Sequence, residues 1–156
     1  MPMIEKETRH FIFEMRAENN EQYGDHIVGR PILYNSRTNL GEFDEIIDAG
    51  ALDGTDLKDV RFLVNHNLDM IPLARSRNNN ENSTMQMCVD DGGMSIRVNL
   101  DTENNSDARN LYSAIKRGDI DGMSFMFTID EERWEDLESE HPTRHIIKIG
   151  KVFEVS

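Results

Sequence analysis

Ser124 opens an apolar run, Met123-Ser124-Phe125-Met126-Phe127-Thr128-Ile129. With a period of two, Met123, Phe125, Phe127 and Ile129 share one face and Ser124, Met126 and Thr128 the other, so the hydroxyl points away from the more apolar side. The turn before it, Asp121-Gly122, offers backbone N–H groups of the kind that stabilise an oxyanion. A serine becomes a nucleophile only if a base removes its proton and a third group fixes the tautomer of that base. His66 is the histidine best placed to be the base. It follows the apolar run Asp59-Val60-Arg61-Phe62-Leu63-Val64 and lies between Asn65 and Asn67, at a polar strand end that can open into a cleft. His10, His26, His141 and His145 have weaker settings, near the start, after a turn, in a polar loop and at a strand opening. Among 30 acidic residues, Glu154 stands apart because it sits inside Val152-Phe153-Glu154-Val155, where a carboxylate without a partner is costly. Each residue alone also has an ordinary structural use. Together they suit acyl transfer without a metal: HExxH, CxxC and a close pair of histidines on a helix are lacking, and no cofactor is implied.

Such a trio, spread over most of the chain, has to be brought together by the elements that carry it. His10-Phe11-Ile12-Phe13-Glu14-Met15 reads as a first strand, with Phe11, Phe13 and Met15 on one side, and Ile27 to Tyr34 as a second, with Pro31 at an edge or bulge. Asn35–Gly41 reads as a loop, Glu42–Ile47 is ambiguous, and the asparagine-rich tract Arg75–Ser83 is expected to be a mobile loop. Thr84–Val89 and Met94–Leu100 flank Asp90-Asp91-Gly92-Gly93, a strong hairpin signature. Cys88 is expected to be a small buried hydrophobe in the first of these strands. Ser106 is expected to cap a helix over Asp107–Lys116, with Ala108, Leu111, Tyr112 and Ile115 as its apolar face and Gly118 as its stop. After the Ser124 strand come an acidic excursion, Trp134–Glu140, and then Arg144–Ile149 and Lys151–Val155, two strands or one bent at Gly150. The balance predicts a β-rich α+β fold or a partly closed barrel, in one domain over residues 1–156.

The composition narrows the partners. A formal net charge of −13 opposes binding to nucleic acid or anionic lipid, and the basic clusters Arg75 with Arg77 and Lys116 with Arg117 are too small to reverse that field. With 37% hydrophobic and 30% charged residues, a compact core must lie under a heavily solvated exterior. One cysteine excludes an intramolecular disulfide. The chain has neither an apolar run of membrane-spanning length nor a signal-peptide pattern at its start, so it is expected to be cytoplasmic.

Several segments, taken in order, resemble the prohead (capsid maturation) proteases of tailed bacteriophages. They are Gly29–Ser36, Phe43 with Asp48–Leu52, Val60–Asn67 holding the Asn-His pair, Leu73–Ser76, Asp91–Met94, Arg117-Gly118-Asp119-Ile120-Asp121-Gly122-Met123-Ser124-Phe125-Met126-Phe127, and Val152–Ser156. The resemblance implies a fold similar to the herpesvirus capsid assembly protease, a β-barrel core with surrounding helices. It implies a serine endopeptidase in which Ser124 attacks, His66 is the base and Glu154 is the third member, where the herpesvirus enzymes use a second histidine. The substrates so implied are the scaffolding segment of the major capsid protein and the protease itself, cut inside the immature procapsid in the bacterial cytoplasm. Homo-oligomers fit the resemblance. The resemblance also makes the chain look shortened at its C-terminus, since Ser156 falls within a strand and relatives continue. The rival reading is a non-enzymatic assembly or scaffold-binding factor that keeps the fold; an unrelated β-barrel interaction module is a third. Arg75 is a basic residue whose role stays open.

Overall fold

The structure, a computed structural model, describes residues 5–11, 15–120 and 122–156. Phe13, expected to share one side of the first strand with Phe11 and Met15, lies outside them, like Ile12, Glu14 and the turn residue Asp121. Strands dominate, because β-branched, aromatic and methionine residues alternate with polar ones along much of the chain. The strands are β1 (Glu7–Phe11), β2 (Arg16–Asn20), β3 (Gly24–Leu33), β4 (Arg37–Asn39), β5 (Asp44–Ile47), β6 (Asp59–Phe62), β7 (Ala74–Arg77), β8 (Met85–Asp90), β9 (Gly93–Asn99), β10 (Met123–Glu135) and β11 (Thr143–Val155). Among the described residues the one helix is α1 (Ser106–Arg117), in the place where the residue pattern expects it, whereas the resemblance implied several surrounding helices.

The smaller sheet runs β2-β3-β9-β8. The larger has seven strands and curls into a half-barrel. Its organiser is β11, which pairs antiparallel with β10 along one edge. Its other edge takes two parallel partners in turn, β5 near its start and β6 near its end. Strand β1 then flanks β10, β4 flanks β5 and β7 flanks β6. The buried apolar residues, among them Ile27, Phe62, Met94, Leu111, Phe125, Phe127 and Val152, form one cluster.

Several boundaries depart from the sequence expectation. Arg37–Asn39, inside the expected loop, pairs with Asp44–Ile46 as β4. Arg75–Arg77, expected to be mobile, belongs to β7 and gives the edge of β6 its partner, with Arg75 bonded twice to Asp59 at 2.6 Å. Trp134 and Glu135 extend β10 instead of leaving it. The last two strand candidates are one strand, β11, with an irregularity at Gly150, where the register against β10 shifts between Thr128 and Ile129; a Cβ there would meet Asp130 Oδ1 at 2.3 Å. The helix is capped by Asn105, whose side chain accepts from the N–H groups of Asp107 and Ala108, so Ser106 is its first residue and not its cap. Gly118 ends it in the left-handed conformation. Cys88 is exposed, because it shares parity with Gln86 and not with the inward Met85 and Met87. Pro31 sits in a bulge, where the register of β3 against β9 shifts between Gly29 and Ile32.

The hairpin of β8 and β9 turns over Asp91-Gly92, and Gly93 carries φ +132, with Ile32 O only 2.1 Å from where a Cβ would stand. Alanine there meets both a backbone conformation closed to side chains and a carbonyl that cannot yield. We expect Gly93→Ala to cost on the order of 3–4 kcal/mol, read from denaturant melts.

His145 is held between two carboxylates, Asp48 Oδ1 on Nδ1 and Glu135 Oε2 on Nε2, each at 2.7 Å. The bond to Asp48 first, then that to Glu135, raises its pKa above the ordinary imidazole value, while the bond to His145 lowers that of Glu135. The staple joining β10, β11 and the turn after β5 is therefore complete below the ordinary histidine pKa and fades as pH rises through the raised one. On the acid side it fails as Glu135 protonates. A melting temperature that falls from neutral to mildly alkaline pH in the wild type, more steeply than in His145→Gln, is the expected result.

Candidate active site

Strands β10, β11 and β6 lie side by side, and their ends on one side carry the three residues of interest. Ser124, at the start of β10, is paired with Ser156 just past β11 by two reciprocal backbone bonds of 2.9 Å. Glu154 lies two residues back, opposite Met126 on β10 and beside Arg61 on β6. From β6 the chain continues through Leu63, whose N–H bonds the Val155 carbonyl at 2.9 Å, and then turns sharply. Asn65 and His66 make that turn with φ of 52° and 55°. Asparagine and histidine are among the few side chains that tolerate this conformation, and two such residues in succession fold the imidazole back over the strand ends.

The result is a row of hydrogen bonds. His66 Nε2 lies 2.6 Å from Ser124 Oγ, and His66 Nδ1 meets Glu154 Oε1. A carboxylate facing Nδ1 fixes the proton there, which leaves Nε2 a lone pair aimed at the serine. Ser124 is mostly buried, and Glu154 is wholly so at 0% exposure, which removes water as a competing partner for its oxygens. Its second oxygen is taken by the Ser156 hydroxyl at 2.6 Å, and that hydroxyl accepts the His66 backbone N–H at 3.1 Å. Ser156 thus ties the carboxylate to the loop that carries the imidazole. Sequence reasoning gave it no role, although a residue two after Glu154, in line with the strand, falls on the same face.

The Ser124 hydroxyl has a second acceptor, the Arg9 carbonyl on β1 at 2.8 Å. One proton serves one acceptor at a time, so β1 offers the hydroxyl a resting bond beside the one it makes to the imidazole. Arg9 is anchored from its other end by buried Glu45, at 2.5 and 2.9 Å, and Glu45 also receives Arg144 at 2.7 Å. Burial works against the charge on Arg9, but its bonds to Glu45 and Glu7 outweigh that and raise its pKa.

A cleft of about 570 Å³ opens on Ser124 and His66. A hollow of similar size, about 590 Å³, on the outer face of the four-stranded sheet holds none of the three residues. Arg75 is committed to Asp59, and among the described residues no group of three His, Cys, Asp or Glu side chains gathers as a metal site would need. No helix of the described residues is long and apolar enough to cross a membrane.

A family model described as caudovirus prohead serine protease matches residues 12–156. The chain belongs to that family. Searches of the curated proteins and of the solved structures found no match. Membership makes serine protease activity the chemistry this cleft has to explain. In a prohead protease of this geometry, removing the Ser156 hydroxyl leaves Glu154 Oε2 and the His66 N–H unpaired. Ser156→Ala is expected to lower stability by about 1–3 kcal/mol and peptidase kcat roughly 10-fold, with Ser156→Thr restoring both, as measured by melts and steady-state kinetics.

Proposed function

We propose that this chain is a serine endopeptidase that cuts the scaffolding segment of the major capsid protein, and itself, inside the immature phage head. Ser124 Oγ attacks the scissile carbonyl carbon while His66 Nε2 takes its proton. The imidazolium so formed is stabilised by Glu154 at Nδ1 and passes the proton to the leaving amine as the C–N bond breaks. Water then enters, His66 removes its proton, and the ester between Ser124 and the acyl fragment is hydrolysed. The observation that carries this reading is the unbroken line from Ser124 through His66 to a fully buried Glu154. Family membership supports it independently. Under the same reading residues 1–156 act as one protease domain, and the half-barrel is the counterpart of the herpesvirus capsid assembly protease barrel.

The test incubates the full chain with the capsid precursor of its own phage and sequences the new termini, alongside labelling by a fluorophosphonate. Scaffold-side cleavage and stoichiometric labelling of Ser124 are expected. An unlabelled Ser124 and an intact precursor would make the chain a non-enzymatic assembly factor instead.

A further inference from the structure

We propose that the cleft is the near half of a longer groove that selects a bulky aliphatic substrate side chain on one side of the scissile bond, flanked by basic rather than acidic residues. This inference deepens the endopeptidase reading and rests on it. The cleft around Ser124 has its apolar wall in Leu63, Leu111 and Ile115. Beyond it lies a second hollow of about 460 Å³, and the two share Val64, Asn65, Leu111 and Ile120, so they form one furrow between α1 and the loop after His66. Each is within the size range of pockets that bind ligands.

The apolar character extends to the rim. Ile120, which borders both hollows, is 37% exposed, and Leu68 and Ile71, on the loop that forms one wall, are 51% and 83% exposed. Large apolar side chains gathered on the surface of so charged a chain mark a binding surface. The groove is continuous with the reactive hydroxyl, so its occupant is the polypeptide being cut. Charge sets the flanks. Asp119 lines the near hollow and Asp107 the far one, and among the described residues neither hollow is lined by a lysine or arginine. Asp119 has Arg117 at 3.2 Å, but both side chains are mostly exposed, so the pair is weak and Asp119 stays open to a substrate cation. An acidic flank would meet the like charge of Asp119 and Asp107, in a molecule of net charge −13.

The test profiles the full chain on a library of quenched fluorescent peptides varied around the cleaved bond, after titrating Ser124 with a fluorophosphonate. Leucine, isoleucine or methionine should be preferred to alanine by about 10-fold or more at one position next to the bond. Lysine should be preferred to glutamate at the flanking positions. Ile120→Asp is expected to shrink the leucine-to-alanine ratio, and Asp119→Lys to reverse the lysine-to-glutamate ratio. Each readout compares two peptides on one enzyme, so loss of folded protein cancels. A labelled Ser124 with flat profiles, or with ratios unmoved by both substitutions, overturns this inference and leaves the protease reading intact. A Ser124 that cannot be labelled overturns both.

Discussion

Ser124→Ala is expected to lower kcat/KM on the capsid precursor by ~10⁴–10⁶-fold, and His66→Ala by a similar factor. The two losses should not multiply. Once the hydroxyl is gone the imidazole has no proton to take, and without the imidazole the hydroxyl stays protonated, so the double variant should be about as inactive as either single one. Stability should hardly change in Ser124→Ala. The pairing of residue 124 with Ser156 runs through backbone atoms, and the side chain has one proton to donate, to the Arg9 carbonyl or to His66 Nε2, a bond worth about 1 kcal/mol. Steady-state kinetics on the three variants, with thermal melts on the same samples, separate the outcomes. A Ser124→Ala protein that still cuts, or a double variant whose loss is the product of the single losses, would show that the serine and histidine do not act as a unit.

Local pattern carried much of this site, and its limits are physical. Period two along residues 123–129 set the orientation of Ser124, and a carboxylate within an apolar strand marked Glu154 as a residue that needs a partner. Which partner was beyond local pattern. His66 and Glu154 are 88 residues apart in sequence and His66 and Ser124 are 58 apart, and they meet because β6 joins β11 in parallel, a long-range pairing that alternation does not encode. The order of motifs shared with the phage proteases supplied what pattern could not, the assignment of the three residues to one site. The same limit explains β7. Its sequence, Ala-Arg-Ser-Arg, is polar, and it is a strand because the edge of β6 and the carboxylate of Asp59 await it. Ser156 was hidden for another reason. A hydroxyl that acts through Glu154 and the backbone of His66 looks like any serine until both are in place.

Glu154→Gln should separate activity from stability most sharply. Both carboxylate oxygens are engaged, Oε1 by the imidazole and Oε2 by the Ser156 hydroxyl, and a carboxamide can present its oxygen to only one of them. If its NH₂ group faces His66, Nδ1 becomes the acceptor, the proton moves to Nε2, and the imidazole can no longer take a proton from Ser124. If it faces Ser156 instead, the hydroxyl must turn to accept it and the useful tautomer survives, but the negative charge that stabilises the imidazolium is lost. The first arrangement should lower kcat by ~10⁴-fold, the second by less. Removing the Ser156 hydroxyl as well decides between them. In Glu154→Gln with Ser156→Ala, no hydroxyl competes for the amide oxygen, so part of the lost activity should return if the tautomer was at fault, and none if charge was. Thermal stability should hold or rise in Glu154→Gln, because a fully buried charge is replaced by a neutral group of the same shape. A variant that keeps wild-type kcat would remove Glu154 from the mechanism, and one that unfolds would make the carboxylate a structural necessity of the β10–β11–β6 junction.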